Sequence, residues 1–148
     1  RSIVLDNANA EMDDVTEMLI YAAARAQHVA EKIRPALERG AVVICDRFVD
    51  SSIAYQGFGR NLGDQVSEVN RYATGGLEPD VTFFMDLDPE IGKDVRDRLE
   101  QQKLDFHYRV YDGYKALCDK YPERIVRIDA SKTIDEIKVD IYSKLETL

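Results

Sequence analysis

The sequence has few of the residue types that mark disulfide-rich, metal-binding or redox proteins. Its 148 residues contain two cysteines, Cys45 and Cys118, and two histidines, His28 and His107. The cysteines are too few for a disulfide framework and do not have the spacing of metal ligands, so we interpret both as reduced thiols. Each histidine stands alone on a predicted helix, and we expect neither to bind a metal or to act in catalysis.

Long apolar runs and an excess of basic residues are also missing. No apolar run approaches the roughly 20 residues that a membrane-spanning helix needs, and the N-terminus lacks a basic-then-apolar signal pattern. We therefore expect a soluble, cytoplasmic protein without a membrane partner. The formal net charge of −8 argues against a broad nucleic-acid surface. A phosphorylated ligand would have to be held by a few well-placed arginines.

The sequence does contain helical and strand patterns that alternate along the chain. The longest pattern predicts a helix from Asp14 to Arg39, with Asp14 and Glu17 as a capping box and Pro35 at a kink. Further helices are predicted at 64–74, around 98–119, and from 133 onward, where Thr133 and Glu136 form another capping box. Continuous apolar runs predict buried strands at 41–45, 81–87 and 124–130. We interpret the spacing Gly57-x-Gly59-x-x-x-Gly63 as a loop.

This alternation indicates an α/β fold in which helices flank a parallel sheet. With 45% hydrophobic residues, the chain is long enough for one packed core and does not require a second. We therefore predict a single domain over residues 1–148.

Polar residues directly follow the first predicted strand. In open α/β sheets, ligands bind beyond the carboxyl ends of the strands, which is where Asp46 and Arg47 fall. An aspartate there can hold Mg²⁺ directly or through water, and an arginine can bind phosphate oxygens. An ion pair that caps the strand end is the alternative. Hydroxyl and amide groups that suit a sugar and a base follow within ten residues, on Ser51, Ser52, Tyr55 and Gln56.

The long helix carries a second candidate pair, Tyr21 and Arg25. Their spacing of four residues places them on one helical face. The ring could stack on a flat base while the guanidinium donates to a ring carbonyl. A core tyrosine beside a surface arginine is the alternative interpretation.

The run AVVICDRFVDSSIAYQGFGRNLG, from Ala41 to Gly63, closely resembles the thymidylate kinase pattern. The resemblance continues through GGLEPDVTFFMDLDPEIG, RDRLE, FHYRVYDGYKAL and RIVRIDAS, and it covers nearly the whole chain. It implies a P-loop kinase-like fold and the phosphorylation of thymidine monophosphate to the diphosphate, with ATP as donor and Mg²⁺ as cofactor. It also suggests a homodimer packed through helices. The alternatives are a non-catalytic nucleotide-binding module and a deoxynucleoside kinase.

The resemblance also implies roles for single residues. Arg47 would contact the phosphate that is extended, Asp46 would support Mg²⁺, and Ser52 and Gln56 would hydrogen-bond the nucleotide. Tyr21 and Arg25 would hold the thymine. Independently of the resemblance, Tyr55 is a candidate for discrimination against ribose, because a ring under the sugar could clash with a 2′-hydroxyl. Residues 93–100 resemble a shortened lid in which Arg98 neutralises the transferring phosphoryl group. A charged helix start is the competing interpretation of that segment.

The P-loop motif Gly-x-x-x-x-Gly-Lys-Ser/Thr is missing from the 148 residues, whose one Gly-Lys pair, Gly92-Lys93, is followed by Asp94. By resemblance, we expect the P-loop strand and a neighbouring short strand to be absent upstream of Arg1, so that the domain is N-terminally incomplete. We also expect these residues alone to be inactive.

Overall fold

A computed structural model of the chain describes residues 2–91, 99 and 102–148. Within these residues, two strands pair and helices pack around them. The predicted lid at 93–100, including Arg98, lies outside the described residues except for Leu99. The helices are α1 Ser2–Leu5, α2 Asp14–His28, α3 Arg34–Glu38, α4 Val49–Ser52, α5 Gln65–Thr74, α6 Leu104–Lys120 and α7 Ile134–Leu145.

The sheet consists of β1 (Thr82–Asp86) and β2 (Ile125–Asp129), which run parallel. Thr82 pairs with Ile125 and Asp86 with Asp129. Parallel neighbours need a crossover, which α6 supplies, and α6 contributes Leu117 and Cys118 to the core formed with Phe84 and Ile125. The α/β class and the strands predicted at 81–87 and 124–130 are confirmed.

The long predicted helix is present, in three consecutive parts. After α2 the chain forms a π-helical turn, Val29–Ile33, and continues as α3. Pro35 near the start of α3 has no amide hydrogen for the carbonyl four residues earlier, which accounts for the widened turn. The N-cap is Asp13, whose carboxylate accepts from the amides of Val15 and Thr16. The predicted Asp14–Glu17 capping box is therefore wrong.

The first part of the loop predicted from Gly57 to Gly63 is helical, whereas residues 60–63 have no regular structure. Helix α4 continues into a π-helical segment, Ile53–Gly59, which packs along α6. At Gly59 a Cβ would lie 2.7 Å from a ring carbon of Phe106 and 2.8 Å from a methyl carbon of Val110. Glycine is required there because the two backbones approach closely, and turn geometry is not the reason. This packing fixes the position of the residues at 51–56.

The predicted strand at 41–45 is not formed. The segment has no regular structure, and Val42 and Ile44 are 92% and 95% exposed. Its β-branched residues favour an extended backbone, but a strand also requires a neighbour that accepts and donates backbone hydrogen bonds. In the described part of the chain, β1 and β2 pair with each other alone.

None of the helices that the structure describes is both long and apolar enough to cross a membrane.

Candidate functional site

A cavity of about 400 Å³ opens between α2 and the segment that runs from residue 45 through α4 into the π-helical segment Ile53–Gly59. It brings together every predicted site residue that the structure describes. These are Tyr21, Arg25, Asp46, Arg47, Ser52, Tyr55 and Gln56. Helix α2 and the segment 45–56 form opposite walls of the cavity. Residues more than 20 positions apart in sequence therefore line the same cavity.

Arg25 is held rigidly at the wall of the cavity. It lies on the buried face of α2, and its Nη1 donates a short hydrogen bond to Asn70 Oδ1. Its Nη2 donates to the Phe48 carbonyl at 3.1 Å, and its guanidinium lies 5.7 Å from the centre of the Phe48 ring. Asn70 is itself oriented, because its Nδ2 donates to the carbonyl of Val66 at 2.8 Å. Burial lowers the pKa of Arg25, and the fixed guanidinium presents its remaining donors to the cavity.

Arg47 adopts a strained backbone conformation beside the cavity. Its φ is +66°, in the left-handed region that non-glycine residues seldom occupy. Its guanidinium lies 5.1 Å from the centre of the Tyr55 ring. Burial alone lowers the pKa of Arg47, but the hydroxyls of Tyr55 and Tyr114 and the carboxylate of Asp46 outweigh it and raise the pKa. The side chain is therefore a permanent cation at the rim of the cavity.

The serines of α4 are supported by α6. Ser51 shares a hydrogen bond of 2.8 Å with the Tyr114 hydroxyl, and the Tyr114 ring stacks on Phe84 at 4.8 Å between ring centres. Burial raises the pKa of Tyr114 to about 12. Ser52 is buried at the cavity wall. This contact ties the cavity to β1.

A buried ion pair joins α4 to Arg124, the residue before β2, and through Thr82 to β1. Arg124 donates to the two carboxylate oxygens of Asp50 at 2.7 and 2.8 Å, and its Nη1 also donates to Thr82 Oγ1 at 3.0 Å. The Thr82 hydroxyl in turn donates to Asp50 at 3.0 Å. The two-point geometry positions α4, and with it both serines, against the sheet.

Gln56 contacts a buried charge that the sequence did not predict. Its Nε2 donates to Glu17 Oε1 at 2.8 Å, and Arg60 Nη2 donates to Glu17 Oε2 at 3.0 Å. Glu17 is fully buried. A glutamate beside Met18, on the apolar face of an amphipathic helix, is the sequence feature that could have predicted this contact.

Asp46 is exposed at the cavity edge. In the described ranges, no cluster of three or more histidine, cysteine or acidic residues could form a metal site. A single carboxylate is compatible with a Mg²⁺ that is held mainly by nucleotide phosphates, since Mg²⁺ is commonly bound by one or two carboxylates plus phosphate and water.

Both histidines line the cavity, although they were predicted to have no role. The Nε2 of His107 is buried and makes no hydrogen bond to the part of the chain that the structure describes. The sequence analysis also did not single out Asn70, which holds Arg25. The position of His107 beside Phe106 at the start of α6 could have indicated a place in the cavity wall, but only once α6 is known to pack against the cavity.

The cavity combines cationic, hydroxyl, amide and aromatic groups, in the arrangement expected of a site for a flat, phosphorylated molecule in an α/β protein. A family model for thymidylate kinase matches residues 1–141. The chain belongs to the thymidylate kinase family.

Individual relatives agree with the family match. The thymidylate kinase of Lactobacillus helveticus is 51% identical over 155 aligned positions, covering 99% of this chain and 73% of that protein. That of Lactobacillus delbrueckii subsp. bulgaricus is 52% identical over 146 positions, covering 93% of this chain and 69% of the relative. The Pediococcus pentosaceus enzyme is 49% identical, and the alignment spans 100% of this chain and 75% of that protein.

Proposed function

We propose that the cavity binds thymidine monophosphate as a phosphoryl acceptor, and that the protein transfers the γ-phosphoryl group of ATP to it, giving the diphosphate. The observation that carries this proposal is the convergence of seven predicted ligand-binding side chains on one cavity, in a chain of the thymidylate kinase family. In a protein with net charge −8, such a local set of cationic and polar groups is needed to hold a phosphate.

Arg47 and Asp46 form the phosphate end in this proposal. Arg47 remains protonated at every working pH and donates to the acceptor phosphate. Asp46 is the side chain that would hold Mg²⁺, through water or directly. A Mg²⁺ ion bound to the nucleotide phosphates would neutralise charge that develops during transfer. The already anionic acceptor needs positioning more than proton removal, so no histidine base is required.

The base end is formed by Tyr21 and Arg25, with Gln56 in the opposite wall. Arg25 is held by Asn70 and by the Phe48 carbonyl, so that it meets a ligand carbonyl without reorganisation. Tyr55 lies under the sugar, where its ring would oppose a 2′-hydroxyl. Ser52 donates to the nucleotide.

Other parts of the proposal concern the wider protein. Arg98 is proposed to neutralise the phosphoryl group from a lid at 93–100. A homodimer packed through helices is supported by the exposure of Val15 and Leu19 on α2, which are 45% and 50% exposed. The location is proposed to be cytoplasmic. Sedimentation of the purified chain would test the dimer, and a sedimenting mass of one chain would contradict it.

Two measurements test the function. Calorimetric titration of the chain with thymidine, uridine and cytidine monophosphates should show tightest binding of the thymidine nucleotide. A coupled assay of ATP consumption on the intact parent protein should show the same order. Arg47→Met should weaken thymidine monophosphate binding by about ten- to hundredfold while binding of free thymidine changes little, because a charged hydrogen bond is lost at the phosphate alone. Equal binding of the three nucleotides would contradict the assignment.

The same cavity would also serve a non-catalytic nucleotide-binding module, which is the second candidate. It predicts the same nucleotide preference in calorimetry but no ATP consumption by the protein under any metal condition.

A further inference from the structure

The carboxamide of Gln56 has a defined orientation in the cavity wall. Gln56 is 1% exposed and its Nε2 lies 2.8 Å from Glu17 Oε1. A carboxylate has acceptors alone, so the NH₂ end of the carboxamide must face Glu17 and the carbonyl end must face away. The usual ambiguity between the two ends of a glutamine side chain is therefore removed by chemistry.

Glu17 is itself held in place by Arg60. Arg60 donates to both carboxylate oxygens, from Nη2 at 3.0 Å and from Nε at 3.4 Å. It is further tied to Asp14 at 3.2 Å and to Gln102 at 3.1 Å, and its guanidinium lies 4.8 Å from the centre of the Phe106 ring. A buried charge with several partners cannot rotate without leaving one of them unpaired. The guanidinium therefore fixes the carboxylate, and the carboxylate fixes the carboxamide.

This arrangement leaves Gln56 Oε1 as the end available to a molecule in the cavity. Across the described ranges, no side chain or backbone amide donates to this oxygen. Gln56 Oε1 can therefore accept a hydrogen bond from a donor on the ligand, and the pyrimidine bases differ in whether they offer one. Thymine and uracil carry an N3–H donor on the edge that pairs in nucleic acids, whereas N3 of cytosine is an acceptor.

We propose that Glu17, held by Arg60, is a positioning residue that makes Gln56 select a base with an imide N–H. The inference rests on the proposed function, because it assumes that the base lies against Gln56. With cytosine, Gln56 Oε1 and N3 of the base would be two acceptors facing each other, and neither would receive a hydrogen bond. This predicts roughly ten- to hundredfold weaker binding of the cytosine nucleotide. A thymidine monophosphate methylated at N3 should be weakened similarly.

The variant Glu17→Gln tests this mechanism because it keeps the shape of the side chain. Arg60 requires an acceptor, so the oxygen of the new carboxamide should face Arg60 and its NH₂ should face Gln56. Gln56 should then turn its own oxygen toward position 17 and its NH₂ toward the cavity, where it suits an acceptor on the base. We expect the preference for thymidine over deoxycytidine monophosphate to fall at least tenfold. Glu17→Asp, which keeps the acceptor, should restore part of the preference.

Calorimetry of the folded chain with the three nucleotides gives the readout, and circular dichroism checks folding. The matched control is Glu31→Gln, an exposed glutamate farther along the same long helix, which should leave the ratio unchanged. If Glu17 had only a structural role, Glu17→Gln would weaken binding of all nucleotides by the same factor. An unchanged ratio of thymidine to deoxycytidine monophosphate affinity in folded Glu17→Gln would therefore overturn the inference. Absence of thymidine monophosphate binding by the wild-type chain would instead reject the proposed function.

A measurement on the wild-type chain covers the case in which Glu17→Gln does not fold. In assigned NMR spectra, the side-chain NH₂ of Gln56 should exchange slowly with solvent in the empty cavity, because it is bonded to Glu17. Rapid exchange, as fast as that of the exposed side chain of Gln65, would overturn the inference. Slow exchange together with a loss of affinity for the N3-methylated nucleotide would support it.

Discussion

Removal of the Asp50 carboxylate should be among the most damaging single changes to this fold. Asp50 is 6% exposed and accepts two hydrogen bonds from Arg124, at 2.7 and 2.8 Å, as well as one from Thr82. In Asp50→Ala, a largely buried guanidinium loses its counter-charge. Breaking one side of a buried pair costs about 3–5 kcal/mol, which is a large part of the usual stability of a domain.

Urea unfolding followed by circular dichroism measures this loss as a lower midpoint at constant slope. The matched control is Asp135→Ala, since the carboxylate of Asp135 is 92% exposed and pairs with Lys138. Its removal should change the free energy of unfolding by less than about 1 kcal/mol. The double variant Asp50→Ala with Arg124→Met should recover much of the loss, because no buried charge is left alone.

Two results would refute this reasoning. The first is a loss of less than about 1 kcal/mol in Asp50→Ala, which would mean that water or another acceptor satisfies Arg124. The second is a double variant as unstable as the single one, which would mean that packing, and not charge, is responsible. Asp50→Ala should also weaken binding of thymidine monophosphate, because α4 carries Ser51 and Ser52.

Three further predictions concern side chains outside the ion pair. Ultraviolet titration should show a tyrosine that ionises near pH 12 and is lost in Tyr114→Phe, because burial raises the pKa of Tyr114 to about 12. The contribution of neutral Tyr114 to the free energy of unfolding is complete below the unfolded pKa of about 10 and is lost as pH rises through about 12. Burial raises the pKa of Asp86, but hydrogen bonds from Arg127 and Tyr111 outweigh it and lower the pKa below 3.8. The ionised Asp86 therefore stabilises the fold above pH 3.8, and this contribution is lost as the pH falls through the folded pKa. Urea unfolding of Arg127→Met at neutral pH and at about pH 3 should therefore show a weaker acid dependence than the wild-type chain. Gly113→Ala should lower the thermal midpoint despite the better helix propensity of alanine, because its Cβ would lie 2.8 Å from Phe58 Cγ.

Each of these predictions has an outcome that would contradict it. If every tyrosine of the wild-type chain ionised near pH 10, the burial of Tyr114 would be disproved. Equal acid dependence in Arg127→Met and the wild-type chain would show that Asp86 owes its lowered pKa to other groups. The cost of Gly113→Ala should disappear in a Phe58→Ala background, and an undiminished cost there would place the clash elsewhere.

Much of this protein could be predicted from local patterns. The strands β1 and β2, the long helix and the Thr133–Glu136 capping box follow from apolar spacing and from side-chain hydrogen bonds between near neighbours, and the structure contains them. The candidate site residues were likewise recognisable, because Asp46, Arg47 and the polar residues after them lie within one short stretch. These features depend on interactions over a few residues, which a sequence displays directly.

Other features depended on what each segment meets in space. The apolar run at 41–45 was predicted as a strand, but backbone pairing needs a partner, and Val42 and Ile44 are exposed. Glu17 was assigned to a helix cap because of its spacing from Asp14, whereas it is buried against Gln56 and Arg60, which lie 39 and 43 residues away. A spacing pattern contains no information about such distant partners. The sequence by itself proposed seven side chains that line the candidate site, but not Glu17, Asn70 or His107. Tertiary packing decided how Arg25 and Gln56 are oriented, because hydrogen bonds between distant segments fix those orientations.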